Sequence, residues 1–151
     1  SSDVIVVGFE EFATLPDVEG GPPRPTILVD EPGSGRLFVN DMRGPVYSVS
    51  YDGDVTLYLN IDDPRWGVRV NSSGRERGMQ SFALHPQFST SGTAGYGKLY
   101  TWTDNEDTDP EPDFVPGGGP DSHDPVLLEW TASDATSLTY DGVPPRQLLR
   151  L

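Results

Sequence analysis

The amino-acid sequence predicts an all-β protein made of short antiparallel strands. Short runs with alternating apolar and polar side chains recur along the chain, which is the pattern of strands with one buried face. The 17 glycines and 15 prolines of the 151 residues supply turns between these runs. Aromatic residues make up 10% of the chain, which argues against simple disorder. Many short strands joined by loops are therefore expected, rather than helices.

The first group of runs predicts a four-stranded meander. The segment Asp52-Gly53-Asp54 separates two alternating runs and is a strong hairpin signal. In the run VTLYLN that follows, alternation places Val55, Leu57 and Leu59 on one face. The predicted strands of this group are Thr26–Val29, Arg36–Asn40, Val46–Ser50 and Val55–Asn60.

A second group of strand-like runs follows a loop that spans residues 61–77, and it too predicts a four-stranded meander. Repeated four-stranded meanders are the unit of a β-propeller, so residues 24–61 are predicted to form one blade and residues 76–151 another. A strand at Asp3–Val7, within residues 1–10, would belong to a ring-closing blade. Because a propeller needs at least four blades, one partial propeller domain over residues 1–151 is favoured over a small β-sandwich. The predicted strands of the second group are Gln80–Leu84, Lys98–Thr103, Val126–Thr131 and Gln147–Leu151.

The charge and composition exclude several classes of partner. The formal net charge is −14, from 24 acidic and 10 basic residues, and such a chain repels nucleic acids and anionic membranes. There is no cysteine, which excludes disulfides and thiolate metal sites. No apolar run approaches the length of a membrane span. The first residues, SSDVIVVG, lack a starting methionine and a basic leader, as expected for a mature terminus or a fragment.

Five segments occur in a recognisable order along the chain. They are GFEEFATLPDVEGGPPRP, RLFVNDMRGPVYSVS, ERGMQSFALHPQF, GKLYTWTD and HDPVLLEWTA. This ordered set, which covers nearly the whole chain, resembles the N-terminal part of the pyrroloquinoline-quinone (PQQ)-dependent sugar dehydrogenases, the glucose/sorbosone dehydrogenase family. The resemblance implies a six-bladed β-propeller of which this chain holds about two blades, an incomplete ring.

The resemblance also implies a chemistry for the full-length protein. In the family, a general-base histidine takes the proton of the sugar's anomeric hydroxyl while a hydride passes to the quinone, and Ca²⁺ polarises the quinone carbonyl. The base lies in a His-x-Gly-Gly-like loop, which neither His85 nor His123 matches. The catalytic base is therefore expected beyond Leu151, and the 151 residues alone are expected to be inactive and to bind neither PQQ nor Ca²⁺. A bacterial periplasmic or extracellular enzyme acting on a small sugar is implied, with the sugar and the electron acceptor left open.

Three residues of this chain are candidates for contact with the cofactor. The resemblance places Glu76 before x-Gly, where a Gln or Glu points toward quinone and substrate and can accept a sugar hydroxyl. Asp41 matches a family acid in the first blade, although Met42 stands where the family has arginine. Arg77 carries the charge that suits quinone carboxylates. The structural alternatives are a solvated turn for Glu76, a hairpin turn for Asp41, and a turn histidine bonded to local backbone for His85.

The acidic segment between residues 104 and 124 is the remaining candidate site. It carries eight acidic residues, yet it lacks the spacing of a calcium loop. A solvated insertion is therefore the interpretation, and no metal ligand is assigned. Two other functions stay open: a calcium-dependent propeller lactonase or hydrolase, and a non-catalytic propeller module that binds without reacting.

Overall fold

The computed structural model describes residues 4–106, 113 and 123–151, and these ranges contain two four-stranded antiparallel sheets. Each sheet is a meander, in which strands that follow one another in sequence are neighbours in space. The described ranges contain no α-helix and one 3-10 turn, at Pro64–Trp66. The all-β prediction is confirmed, and the two sheets are consistent with two propeller blades whose ring is not closed in this chain.

The first sheet lies where the sequence predicted it. Its strands are β1 (Pro25–Glu31), β2 (Arg36–Asp41), β3 (Pro45–Ser50) and β4 (Val55–Asn60). They pair in the order β1-β2-β3-β4, and Gly53 adopts a positive φ of 92° in the predicted Asp-Gly hairpin.

The second sheet differs from the prediction in the length of its central strands. These two strands are longer than predicted, because the backbone ladder between them continues to the pair Glu106 and His123. Part of the acidic segment that was interpreted as a solvated insertion is therefore strand, and the rest lies outside the described residues. The strands are β5 (Met79–Leu84), β6 (Lys98–Glu106), β7 (His123–Thr131) and β8 (Arg146–Arg150).

The predicted face of β4 is wrong because the strand contains a bulge. Val46 pairs with Leu59 and the next residue of β3, Tyr47, pairs with Leu57, so Tyr58 has no partner of its own in the ladder. A bulge of this kind shifts the alternation of side chains by one residue. Leu59 consequently packs in the core between the sheets, whereas Val55 lies on the opposite face of the first sheet.

The N-terminal segment does not form the predicted strand in this structure. Residues 4–7 are exposed and belong to no sheet, because a strand needs a neighbouring edge to satisfy its backbone groups. Further along, Ala13 and Leu15 pack against Tyr47 and Val49 on the outer face of the first sheet. The N-terminal segment thus covers that face as an irregular strap.

The core between the two sheets combines aliphatic side chains with a cluster of aromatic rings from both halves of the chain. Trp130 is fully buried, and its ring meets those of Trp66 and Tyr140 edge to face, with centroids 5.7 and 5.8 Å apart. The ring of Tyr58 meets Phe38 in the same way at 5.0 Å. Edge-to-face pairs add about 0.5–1.5 kcal/mol each beyond the burial of their surface. Residues from both sheets therefore share one core.

A buried ion pair also joins the two sheets. Glu31 and Arg36, at the ends of adjacent strands, contact each other with side chains only 2% and 10% exposed. Ser89, which follows β5, donates to the Glu31 carboxylate at 2.8 Å. The Arg36 guanidinium donates to the carbonyl oxygens of Ala135 and, at 2.8 Å, of Ser137, in the loop after β7. The pair is thus satisfied by groups of the second sheet.

We expect Arg36→Met to destabilise the fold strongly, because it leaves the Glu31 carboxylate buried without its cation. Removing one member of such a pair costs about 3–5 kcal/mol. The free energy of unfolding from urea denaturation measures the loss. Arg69→Met is the matched control, since Arg69 pairs with Glu106 at 3.6 Å on the surface, where a pair is worth about 0–1 kcal/mol. Equal losses in the two variants would contradict the role of the buried pair.

A second charged cluster lies on the second sheet around Glu129. One carboxylate oxygen of Glu129 is 3.1 Å from both Lys98 Nζ and an Arg146 guanidinium nitrogen. Burial opposes the ionisation of Glu129, but the hydrogen bonds from Lys98 and Arg146 outweigh it and lower the pKa of this carboxyl below its ordinary value of 4.5. A carboxyl with a lowered folded pKa stabilises the fold above its unfolded pKa and loses that contribution as pH falls.

We expect the stability difference between the wild type and Glu129→Gln to depend on pH. The difference is full at neutral pH and shrinks as pH falls below about 4.5, where the folded and unfolded carboxyl groups both become protonated. Urea denaturation across a pH series measures it. Thr131→Ser, on the same strand and without a titratable group, serves as control. A Glu129→Gln difference that stays constant down to about pH 3 would refute the linkage.

Candidate functional site

The loop of residues 71–78 leads into β5 and borders an open cavity of about 440 Å³. Glu76 is exposed at this cavity, Arg77 is half-buried, and Asp104 of β6 is buried, with 8% exposure. The structure therefore brings together two of the three predicted site residues and adds a carboxylate that the sequence did not single out. The lining residues are Ser73, Gly74, Arg75, Glu76, Arg77 and Asp104.

The tip of this loop is held by an arginine of the first sheet. Arg24, next to the start of β1, donates from its guanidinium to the carbonyl oxygen of Ser72 at 3.2 Å and to those of Gly74 and Arg75 at 3.0 Å. Three acceptors converge on one planar group, which matches the fixed fork of guanidinium donors. The loop tip is therefore tied to the first sheet.

The base of the loop is held by Asp104 of the second sheet. Its carboxylate oxygen Oδ2 accepts hydrogen bonds from the Gly78 N–H and from Gln80 Nε2, both at 3.2 Å. The Gln80 amide also donates to the Glu76 carbonyl oxygen. The backbone of Asp104 accepts from the Asn71 N–H at 2.9 Å and donates to the Gly78 carbonyl at 3.0 Å. Asp104 thus contacts both ends of the loop.

The sheets meet directly beside this loop, at Gly78. The Met79 N–H donates to the Met42 carbonyl oxygen at 2.7 Å, and Asn40 donates from its side chain to the Met79 carbonyl at 2.8 Å. Gly78 has a φ of 127°, and a Cβ at this position would collide with the Met42 carbonyl oxygen. Glycine is required because it tolerates positive φ and the close approach of another backbone.

Asp41, the third predicted site residue, is fully buried and turned inward. Its Oδ2 accepts from the Arg24 N–H at 2.6 Å, and its Oδ1 accepts from the Arg43 N–H at 2.8 Å. The Arg43 guanidinium lies 3.6 Å from the same carboxylate. These bonds match the hairpin-turn alternative. They also join Asp41 to the backbone of Arg24, whose side chain holds the pocket loop. Contact between Asp41 and a cofactor stays a prediction.

His85 lies outside the cavity lining. Its Nδ1 atom accepts from the Gln87 N–H at 3.0 Å, and its ring packs so closely on Gly95 that a Cβ there would overlap it. His85 is therefore bonded to local backbone, as its structural alternative proposed. The other histidine, His123, begins β7 at the far end of the ladder.

A second cavity, of about 510 Å³, lies beside the segment that connects the two sheets. Burial raises the pKa of Asp62 in its wall; a hydrogen bond from the Val70 N–H opposes the shift, and the charges of Glu19 and Glu106 add to it. Within the described ranges, no group of three or more His, Asp or Glu side chains is placed to hold a metal ion. No described helix has the length and apolarity needed to cross a membrane.

The pocket at residues 73–77 combines two kinds of polar group. Arg75 and Arg77 offer guanidinium donors that suit carboxylate groups. The Glu76 carboxylate is an acceptor for hydroxyl groups. A polyol or sugar together with an anionic group is therefore the ligand chemistry that this lining favours.

The comparisons with known proteins support the fold. No protein-family profile matches the sequence, and no curated protein matches it. Among solved structures, the chain is similar to a protein from Thermus thermophilus described as a candidate oxidoreductase (glucose dehydrogenase). The TM-score is 0.55 at 20% sequence identity, and the match covers 90% of this chain and 31% of the Thermus protein. This likeness shows that the chain shares the fold of about a third of that protein's length.

We expect Gly78→Ala to destabilise the chain by more than about 2 kcal/mol, because a methyl group would strain the positive φ and push Met42 away. Gly74→Ala is the matched control. Gly74 also has a positive φ, of 79°, but a Cβ there would meet no atom within 4 Å, so only the conformational cost of roughly 1 kcal/mol is expected. Thermal or urea unfolding of both variants measures the contrast. Equal costs would show that the junction at Met42 is dispensable.

Proposed function

We propose that this chain is the N-terminal part of a PQQ-dependent sugar dehydrogenase, which oxidises an aldose or related sugar by hydride transfer to the quinone. The observation that carries the proposal is that the motif ERGMQSFALHPQF coincides with the pocket, since its first residues, Glu76 and Arg77, line the cavity. The fold shared with a glucose dehydrogenase-like protein supports it. The chain covers 31% of that protein, and the activity is proposed for a longer protein of which these residues would be a part.

The lining of the pocket fits one edge of such a cofactor. PQQ carries carboxylate groups, and the guanidinium groups of Arg77 and Arg75 are complementary to them. The quinone supplies a two-electron acceptor for the hydride when it is bound. Glu76 accepts a hydrogen bond from a sugar hydroxyl and orients the sugar in the pocket.

The remaining functional groups are proposed to lie after Leu151. The general base is a histidine in a later loop, and most of the cationic groups that grip the cofactor come from later blades. The 151 residues alone are proposed to be inactive and to bind neither PQQ nor Ca²⁺. The complete protein is proposed to act in the bacterial periplasm or outside the cell.

We expect the complete gene product, supplied with PQQ and Ca²⁺, to reduce a redox dye when an aldose is added. Glu76→Ala should lower kcat/KM by roughly ten- to hundredfold, because it removes a hydrogen bond to a charged group, which is worth about 1.5–3 kcal/mol. Glu10→Ala, at another exposed glutamate, should leave the rate unchanged. Stopped assays across a panel of sugars measure both variants.

Other outcomes of the same experiment identify the alternatives. Calcium-dependent hydrolysis of a lactone without tight quinone binding would replace the dehydrogenase with a propeller hydrolase. If the complete protein binds neither quinone nor calcium, a non-catalytic binding module is the function that remains. A complete gene that lacks a His-x-Gly-Gly-like loop soon after Leu151 would also overturn the proposal.

A further inference from the structure

We propose that Arg24 and Asp104 are positioning residues that together set the place of Glu76 in the pocket. Arg24 holds the loop tip from the first sheet, and Asp104 holds the loop base from the second sheet. The functional meaning of this clamp rests on the role of Glu76 in the proposed dehydrogenase. The clamp itself is a property of the described chain.

The Arg24 side of the clamp is pre-organised by the first sheet. The Arg24 N–H is bonded at 2.6 Å to the buried Asp41 carboxylate, which fixes the residue from which the guanidinium extends. The guanidinium then reaches three carbonyl oxygens of the loop, the last of them on Arg75, next to Glu76. The guanidinium makes these contacts from two separate nitrogens, whereas a lysine carries its donors on one nitrogen and lacks the planar fork, so it would reproduce the contacts only in part.

Asp104 is connected to Glu76 through the side-chain amide of Gln80. Asp104 accepts from Gln80 Nε2, and the same amide nitrogen donates to the Glu76 carbonyl oxygen. The carboxylate also accepts from the Gly78 N–H, two residues after Glu76. Hydrogen bonds to a charged acceptor are about twice as strong as neutral ones. The backbone of Glu76 is therefore held on both sides, while its side chain is left exposed at the cavity.

Because the two anchors belong to different sheets, the position of Glu76 depends on how the sheets are joined. The junction at Met42 and Gly78 fixes that relation through backbone hydrogen bonds. The Met42 N–H donates to the Arg24 carbonyl oxygen at 3.1 Å, and the Asp104 N–H donates to the Gly78 carbonyl oxygen at 3.0 Å. The clamp therefore couples the packing of two blades to the geometry of one pocket residue.

The first test measures the order of the loop in the 151-residue chain. We expect Arg24→Met and Asp104→Leu each to increase amide hydrogen exchange across residues 72–78 by about tenfold or more. Arg24→Met removes three hydrogen bonds to the loop, and Asp104→Leu removes the bond from the Gly78 N–H and the bond from the Gln80 amide that also holds Glu76. The conservative variants Arg24→Lys and Asp104→Asn should restore part of the protection. Glu129→Gln, which alters the same second sheet far from the loop, is the control for general destabilisation. Unchanged exchange in both Arg24→Met and Asp104→Leu would overturn the clamp.

The second test uses the complete gene product and asks whether the clamp acts through Glu76. We expect Arg24→Met to lower kcat/KM for the sugar in the wild type and to have little further effect in the Glu76→Ala background, which lacks the acceptor that the clamp positions. Such non-additivity is the signature of two residues that act as a unit. Equal effects in both backgrounds would show a structural role only and overturn the positioning role. If hydrogen exchange changes but no variant or wild type reduces the dye, the clamp stands and the proposed dehydrogenase fails.

Discussion

The arrangement of the two sheets depends on the backbone hydrogen bond of 2.7 Å from the Met79 N–H to the Met42 carbonyl, which a bond of the same length from the Tyr140 N–H to the Tyr58 carbonyl supplements. The Met79 bond is short because Gly78 has no side chain to keep the two backbones apart. Sheets of this kind otherwise meet through side chains, which leaves room for sliding. A main-chain contact at the start of β5 prevents the two sheets from sliding past each other. The aromatic rings of the core, the buried ion pair and the pocket loop therefore all depend on one relative position of the sheets.

Several buried polar groups at this interface are bonded to partners on the opposite sheet, whereas among the described residues the Tyr58 hydroxyl and the Trp66 indole N–H are buried without a hydrogen-bond partner. Asn40 bonds the β1 backbone with its side-chain oxygen and Met79 with its amide nitrogen, and Glu31 takes a bond from Ser89. Buried polar groups that are satisfied in this way favour one register over all others, since each alternative would leave donors or acceptors unpaired. The pocket geometry is fixed in the same way, because the pocket loop starts and ends at residues that belong to the same hydrogen-bond network.

The sequence predicted the strands well because their signals are local. Asp52-Gly53 and the alternation of the neighbouring runs carry that information within a few residues. The bulge at Tyr58 was missed because it depends on which residue of β3 lies opposite. Glu76 and Arg77 were found through motif resemblance, whereas Arg24 and Asp104 were missed. Both act across more than twenty residues of sequence, and no local pattern distinguishes them from surface charges.

The two interfacial arginines share a property with consequences for sequence divergence. Arg36 donates hydrogen bonds to the carbonyl oxygens of Ala135 and Ser137, and Arg24 donates to those of the pocket loop. Carbonyl oxygens are present whatever the side chain is. Substitution on the accepting side therefore preserves the contact as long as the backbone keeps its path, whereas the donating side must remain arginine. Homologous chains should accordingly keep both arginines and vary at accepting positions that lie outside the core, such as 75 and 137, whereas Ala135 is buried in the core and is restricted by packing instead.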